Sequence, residues 1–315
     1  MSPELNSLSV RDLGYIVAVA RESHFRKAAE SCYVSQPTLS AQVKKVERVL
    51  GAKIFDRSSR GVRLTDTGRR IVEQAALVLD EAEKMASLVH QRKPLVGALS
   101  IGVLGTIGPY LLPLVMPALE LEFPELSLYI VEGMTEDLAD ELRQGKLDLL
   151  IASPSPLLEG FGETHSFFER FMLCTNSRER IARRKLLRLA DLGDLKMLYL
   201  GPGHCLADQA SGFCSAAGAE RSPFQAASLE TLRLLVAAGR GAALVPELAV
   251  GGATVGDGGL LSYLPFREKR VGRDVSIYHR SNSAFSEDAA ILARIIAGRI
   301  ARKKQILSPA GSADL

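Results

Sequence analysis

A winged helix-turn-helix, a long linking helix and an α/β domain of two lobes are the architecture this 315-residue sequence predicts. Three observations carry the prediction. Residues 1–70 hold 13 Lys/Arg against 7 Asp/Glu, a net +6 in a chain of net +3, so the remainder is mildly acidic. Apolar residues recur at helical spacing through the first ninety positions, and from about residue 97 strand-like and helix-like segments alternate. A basic block on an acidic body points to a polyanionic partner.

Leu13, Ile16, Val17 and Ala20 follow i, i+3, i+4, i+7, one face of a helix, and Phe25, Ala28, Ala29 and Cys32 repeat the pattern. Next, "YVSQPTLSAQVKKVERVLG" has Ser35 as N-cap, Pro37 in a first turn and Gly51 as terminator. With Leu39, Val43, Val46 and Leu50 turned inward, Pro37, Thr38, Ala41, Lys44, Lys45 and Arg48 lie outward, flanked by Ser40 and Gln42. Small residues allow close approach to a groove, polar groups meet base edges and cations meet phosphates. Ser35 and Gln36 at the helix start complete the candidate reading face. A plain three-helix bundle with a solvated charged face is the competing reading.

"IFDRSSRGVRLTDTG" predicts two short strands around a turn, a wing carrying Arg57, Arg60 and Arg63. Thr65 caps a long helix in which Ile71, Ala75, Val78, Ala82, Met85 and Val89 step by 4, 3, 4, 3, 4, a heptad seam suited to pairing with a second chain. The boundaries follow: 1–65 for DNA binding, 66–92 as linker and dimerisation helix, and 93–315 as the body, which the resemblance given below implies is an effector domain.

After the break at "KPLVG", the order is strand "ALSIGVL", helix "PYLLPLVMPALELEFP", strand "LSLYIVEG", helix "EDLADELRQG" and strand "LDLLIAS". "FMLCTN" and "LKMLYLG" read as strands, "LADQASGFCSAAG" and "SLETLRLLVAAG" as helices, "GAALVPELA" and "VSIYHR" as strands, and "AFSEDAAILARIIAGRIARKK" as a final helix. Such alternation predicts a parallel sheet, with a binding crevice between two lobes. No apolar run reaches the roughly 20 residues needed to cross a bilayer, and the N-terminus lacks a secretory pattern. A cytoplasmic location with no membrane partner is expected, and four cysteines are too few for a disulfide scaffold.

"FRKAAESCYVSQPTLSAQVKKVERVLGAKIFDRSSRGVRLTDTG" closely resembles the N-terminal domain of LysR-type transcriptional regulators. Within that family, "GTIGPYLLP" (105–113), "GHCLADQASGFCSAAGA" (203–219) and "ASLETLRLLVAAG" (227–239) resemble the peroxide-sensing members, and the likeness runs nearly end to end. The first match is family-wide, whereas the GHCL-x-DQ-x3-FC match is far more specific. The resemblance implies an effector domain like periplasmic binding proteins, with lobe I at about 93–167 plus 272–305 and lobe II at about 168–271. It also implies a homodimer through the linker helix, a homotetramer on double-stranded promoter DNA, and RNA polymerase as a further partner. Antioxidant genes would be the targets.

It further implies that hydrogen peroxide oxidises Cys205 to a sulfenic acid, which Cys214 converts to a disulfide. Cys205 follows His204 and starts a predicted helix, where the dipole favours an anion. If residues 206–213 are helical, the two Cα atoms stand ~13 Å apart, against the 4.4–6.8 Å typical of a disulfide, so bonding must remodel the backbone. Thr106, Thr135, His204 and Asp208, with Arg280 reaching across the cleft, would line the peroxide pocket. Cys32 and Cys174 are expected in cores. The protein is expected not to be an enzyme and to need no cofactor or metal. Alternatives are a LysR-type regulator of a small organic anion, with both thiols as bystanders, and a thiol peroxidase. A basic helix-turn-helix and the lack of a C-x-x-C motif weigh against the last.

Overall fold

The computed structural model describes residues 7–58, 61–87, 93–250, 259–281 and 283–307. Helices α1 (Val10–Glu22), α2 (Phe25–Ser31) and α3 (Gln36–Leu50) come first. Ser9 and Asp12 form a capping box on α1, and the Ser35 side chain accepts from the Thr38 amide at the start of α3. Gly51, at φ 63°, ends α3 in the left-handed region that costs glycine least. Ile16, Val19, Ala28, Leu39, Val43 and Val46 are fully enclosed where the three helices meet. Strands β1 (Phe55–Ser58) and β2 (Gly61–Leu64) pair antiparallel as the expected wing. The Thr65 hydroxyl accepts from the Gly68 amide and caps α4 (Asp66–Ser87).

The effector part opens with β3 (Gly97–Leu104), α5 (Gly108–Glu122), β4 (Leu126–Gly133), α6 (Thr135–Arg143) and β5 (Leu149–Ala152). There β4, β3 and β5 are parallel neighbours. It continues with β6 (Phe161–Asn176), β7 (Lys196–Leu200), α7 (Cys205–Ala216), β8 (Glu220–Ala226), α8 (Leu229–Ala237), β9 (Ala243–Pro246), β10 (Leu261–Pro265), β11 (Gly272–Arg280) and α9 (Ser286–Leu307).

The main sheet runs β10-β6-β11-β5-β3-β4, with β9 also on β6. It is mixed rather than parallel, because β11 lies antiparallel to both β5 and β6, as do β9 and β10 to β6. Apolar runs report burial on both faces and say nothing of strand direction, which the connections decide. β6 is 16 residues long and serves both halves. Phe161 to Arg170 pair with β11, then Phe171 onward pairs with β9 and β10. A second, parallel pair, β7–β8, carries α7 between its strands. Among the described residues no helix is long and apolar enough to cross a membrane.

Candidate functional site

The thiol segment starts where β7 ends. Gly203 sits at φ 88°, and a Cβ there would lie 2.9 Å from the Met134 sulfur, so the loop before the first thiol fits closely against the start of α6. His204 is the N-cap of α7 and Cys205 its first residue. The half-buried Cys205 sulfur lies 2.6 Å from the Thr135 hydroxyl. Thr135 is the buried first residue of α6, whose N-cap Met134 supplies no side-chain bond. Two helix N-termini, each the positive end of a dipole, therefore meet at one sulfur. Asp208 is exposed in the first turn of α7, one turn beyond Cys205, and His204 is half-buried.

Thr106 reaches this end of the domain by the neighbouring strand. β3 and β4 run in register to Leu104↔Gly133, so Thr106 and Thr135 both follow the carboxyl ends of adjacent parallel strands, the position where open α/β sheets bind ligands. Thr106 does not cap α5, whose N-cap is Ile107. Its hydroxyl and its carbonyl each accept from the Arg273 guanidinium at 2.8 Å. Arg273, fully enclosed, is also paired with Glu169 at 2.7 Å.

Arg280, expected in this pocket, is elsewhere. Its Nε and Nη2 donate to the Asp80 carboxylate at 2.5 and 3.1 Å, and Nη1 donates to the carbonyls of Leu142 and Leu147. Seven residues of strand place the two arginines about 23 Å apart, so only one can serve the thiol end. The signal was in the sequence. A side chain reaching across the cleft should leave the chain where it crosses between lobes, and Arg273 stands beside that crossing.

Cys214 is fully buried on the same continuous helix, nine residues on, or ~13.5 Å of helix rise from Cys205. Both thiols are free. Burial pushes the Cys214 thiol up, partly offset by its hydrogen bond with the Tyr199 hydroxyl. Sequence reasoning took Tyr199 as one more apolar residue of a strand and missed this contact. Phe213 packs edge-on against Phe171 with ring centroids 6.1 Å apart. Cys174 is buried and Cys32 half-buried among apolar neighbours, as expected.

On the N-terminal domain, Ser35, Gln36, Pro37, Thr38, Ala41, Lys44 and Arg48 are exposed along one side of α3, and Arg63 is exposed in the wing. Ser40 is half-buried, and the Gln42 Oε1 is buried without a hydrogen-bond partner. Lys45 departs from the expected outward face. Its Nζ is 2.9 Å from the buried Asp12 carboxylate of α1, so the charge ties two helices together. The side chain of Arg57, and Arg60 and Val89 altogether, lie outside the described residues. The heptad seam divides. Ala75 is buried in the helix-turn-helix core and Ile71 packs against it, whereas Val78 and Met85 are exposed with Ala82 half-buried. Among the described residues of the seam, Val78, Ala82 and Met85 are the ones open to a second chain.

The family model for the bacterial regulatory helix-turn-helix protein, lysR family, matches residues 10–69, and that for the LysR substrate binding domain matches residues 92–300. The DNA-binding transcriptional dual regulator OxyR of Escherichia coli (strain K12) is 42% identical over 295 residues, covering 93% of this chain and 96% of that protein. A full-length OxyR variant from Pseudomonas aeruginosa superposes with a TM-score of 0.83 at 36% identity, covering 92% of this chain and 97% of that one. OxyR structures in a reduced and an oxidised form each cover 66% of this chain and 98% of their own, at TM-scores of 0.60 and 0.59 and identities of 38% and 39%. The chain belongs to the LysR family of bacterial transcriptional regulators, DNA-binding proteins rather than enzymes, and within that family it closely resembles OxyR.

Proposed function

We propose that this chain is a peroxide-sensing regulator in which Cys205 is the reacting thiol and Cys214 the resolving one. The observation that carries the reading is the Cys205 sulfur at two helix N-termini, in contact with the Thr135 hydroxyl. The thiolate is the nucleophile, and this sulfur is the half-buried one of the pair, with a hydroxyl beside it. The sulfur attacks one peroxide oxygen, an S–O bond forms, the O–O bond breaks, and the departing hydroxide takes a proton to become water. The Cys214 sulfur then attacks the sulfenic sulfur, and a second water leaves as the S–S bond forms. Two thiols are oxidised and one peroxide is reduced to two waters.

Thr106, held by Arg273, and Thr135 supply hydroxyls for the peroxide, with His204 and Asp208 at the entrance. A disulfide needs Cα atoms within roughly 4.4–6.8 Å, so α7 must unwind. A bond closing so short a loop stabilises the remodelled form by only ~2–4 kcal/mol, and reduction restores the helix. The chain acts on double-stranded promoter DNA through Ser35, Gln36, Pro37, Thr38, Ser40, Gln42, Lys44, Arg48 and Arg57. It dimerises along Val78, Ala82 and Met85, assembles as a tetramer, and works with RNA polymerase in the cytoplasm. The units are residues 1–65, 66–92 and 93–315, with lobes changing near 167 and 271.

Mass spectrometry after brief exposure to peroxide tests the chemistry. Wild type should give a Cys205–Cys214 linkage. Cys205→Ser should give no reaction and no change in the DNA footprint. Cys214→Ser should stop at a dimedone-trappable sulfenic acid on Cys205. An unmodified Cys205 under conditions that oxidise Cys32 or Cys174 rejects the assignment.

A further inference from the structure

The reactive thiol and the linker helix meet opposite ends of one element. At the start of α6, Thr135 touches Cys205. At its far end, the carbonyls of Leu142 and, in the following turn, Leu147 accept from Arg280, which also grips Asp80 of α4. We propose that α6 carries the state of Cys205 to the linker helix, with Arg280 and Asp80 as the positioning residues that join its far end to the DNA-binding part. This rests on the peroxide reading above.

The two ends are built differently. No side chain caps the N-terminus of α6, and the contact of its first side chain with Cys205 joins it to α7. If Cys205 leaves the start of α7 to reach Cys214, Thr135 loses that partner. At the C-terminal end the guanidinium faces the negative end of the helix dipole. Arg280 makes four hydrogen bonds there, two to effector carbonyls and two to one carboxylate of α4, and both charged side chains are nearly enclosed. With its donors committed on both sides, Arg280 cannot follow a shift of Leu142 and Leu147 without moving Asp80 or breaking bonds.

Neighbouring contacts fall on the same end. Asp140 of α6 is 3.7 Å from Arg69 of α4, the Lys146 carbonyl accepts from Arg21 of α1, and a Cβ at Gly145 would lie 3.4 Å from that of Ala76. The end of α6 and its turn are thus the surface on which the helix-turn-helix and linker seat. Packed elements switch between discrete arrangements rather than deforming smoothly, and a nine-residue helix about 13.5 Å long can pass a displacement from end to end. The two-state element that coupling requires is α7, helical when reduced and unwound when bonded.

Two measurements on the full chain decide it. In hydrogen exchange of the wild type before and after peroxide, faster exchange should spread beyond residues 203–218 to α6 and to the part of α4 around Asp80. A change confined to 203–218 overturns the proposal. Asp80→Asn keeps the size of the side chain and leaves Arg280 its two carbonyls. Cys205 should oxidise at the wild-type rate in this variant, while the difference between reduced and oxidised DNA footprints shrinks at least fivefold. A full footprint change with Asn at that position also overturns the link. If the variant does not fold, the exchange measurement on wild type decides alone. An unreactive Cys205 in the wild type is a failure of the peroxide reading, visible in the mass spectrum before any variant is made, and it removes the link as well.

Discussion

Two arginines of one strand, Arg273 and Arg280, do opposite kinds of work. Arg273 binds inward: Glu169 and both polar groups of Thr106 belong to the effector domain. Arg280 binds outward, to a carboxylate 200 residues earlier on the linker helix. The same residue type, equally buried, therefore serves integrity of the sensor at one end and attachment of the DNA-binding part at the other. Removing one guanidinium takes the paired cation from a buried carboxylate in each case, at a cost of about 3–5 kcal/mol, the lower end for Glu169, which keeps the Leu248 amide.

The largest effects should come from Arg273→Met and Arg280→Met. Arg273→Met should lower the stability of the effector domain in urea by that amount and also slow oxidation of Cys205, because Thr106 loses both bonds. Arg280→Met should cost as much, yet leave the Cys205 rate near wild type. Equal rates of Cys205 oxidation in the two variants would erase the distinction between the two ends.

A second contrast lies on α4 itself. Asp80 is turned to Arg280, while Val78, two residues before it, is 47% exposed. Val78→Glu therefore leaves the single chain's core untouched but places a carboxylate in the seam of a dimer, at roughly 2–3 kcal/mol. Sedimentation should show a dimer dissociating at concentrations tens of times higher than wild type, with operator binding weakened in step. A dimer of unchanged strength would move the interface off this face.

How far such distinctions can be read from sequence follows from their range. The helix-turn-helix was legible because its core is local: Leu39, Val43 and Val46 declare the buried face of α3, and Ser35 and Gly51 mark its ends. The start of α7 at Cys205 was legible for the same reason. The first half of β6, "FGETHSFFER", was not, because its partly exposed faces carry charged and polar residues and its pairing with β11 is set about a hundred residues away. β8 was missed because "ERSPFQA" is short, polar and interrupted by proline. Arg273 and Arg280 are chemically identical in a string of letters, and only the fold says which carboxylate each one meets. The Tyr199–Cys214 contact was hidden likewise, since nothing local marks a strand hydroxyl that faces a helix thiol.

Lys44 and Lys45 show the smallest difference and the easiest to misread. Both are basic neighbours on α3, yet Lys44 is exposed whereas Lys45 is tied to Asp12, itself bonded to the Ser9 amide and hydroxyl-capped start of α1. Burial alone would raise the Asp12 carboxyl, but the hydrogen bonds from Lys45 and Ser9 outweigh it and hold it below the ordinary carboxylate range. A depressed value in the folded state means the tie is fully present above about pH 4, where an unfolded aspartate is ionised, and is lost as pH falls through the lower folded value. Because Lys45 is partly exposed, the tie should contribute only about 0.5 kcal/mol. Thermal melts at pH 6 and pH 3 should show that Asp12→Asn removes a small part of the acid sensitivity of the N-terminal domain. On DNA, Lys44→Met or Arg48→Met should lower the salt slope by about one each. Lys45→Met should leave the slope nearly unchanged, since its charge is already spent on Asp12. A full unit lost in Lys45→Met would mean that the lysine exchanges Asp12 for a phosphate on binding, and the face of α3 that meets DNA would then be wider by one residue than its contacts in the free chain suggest.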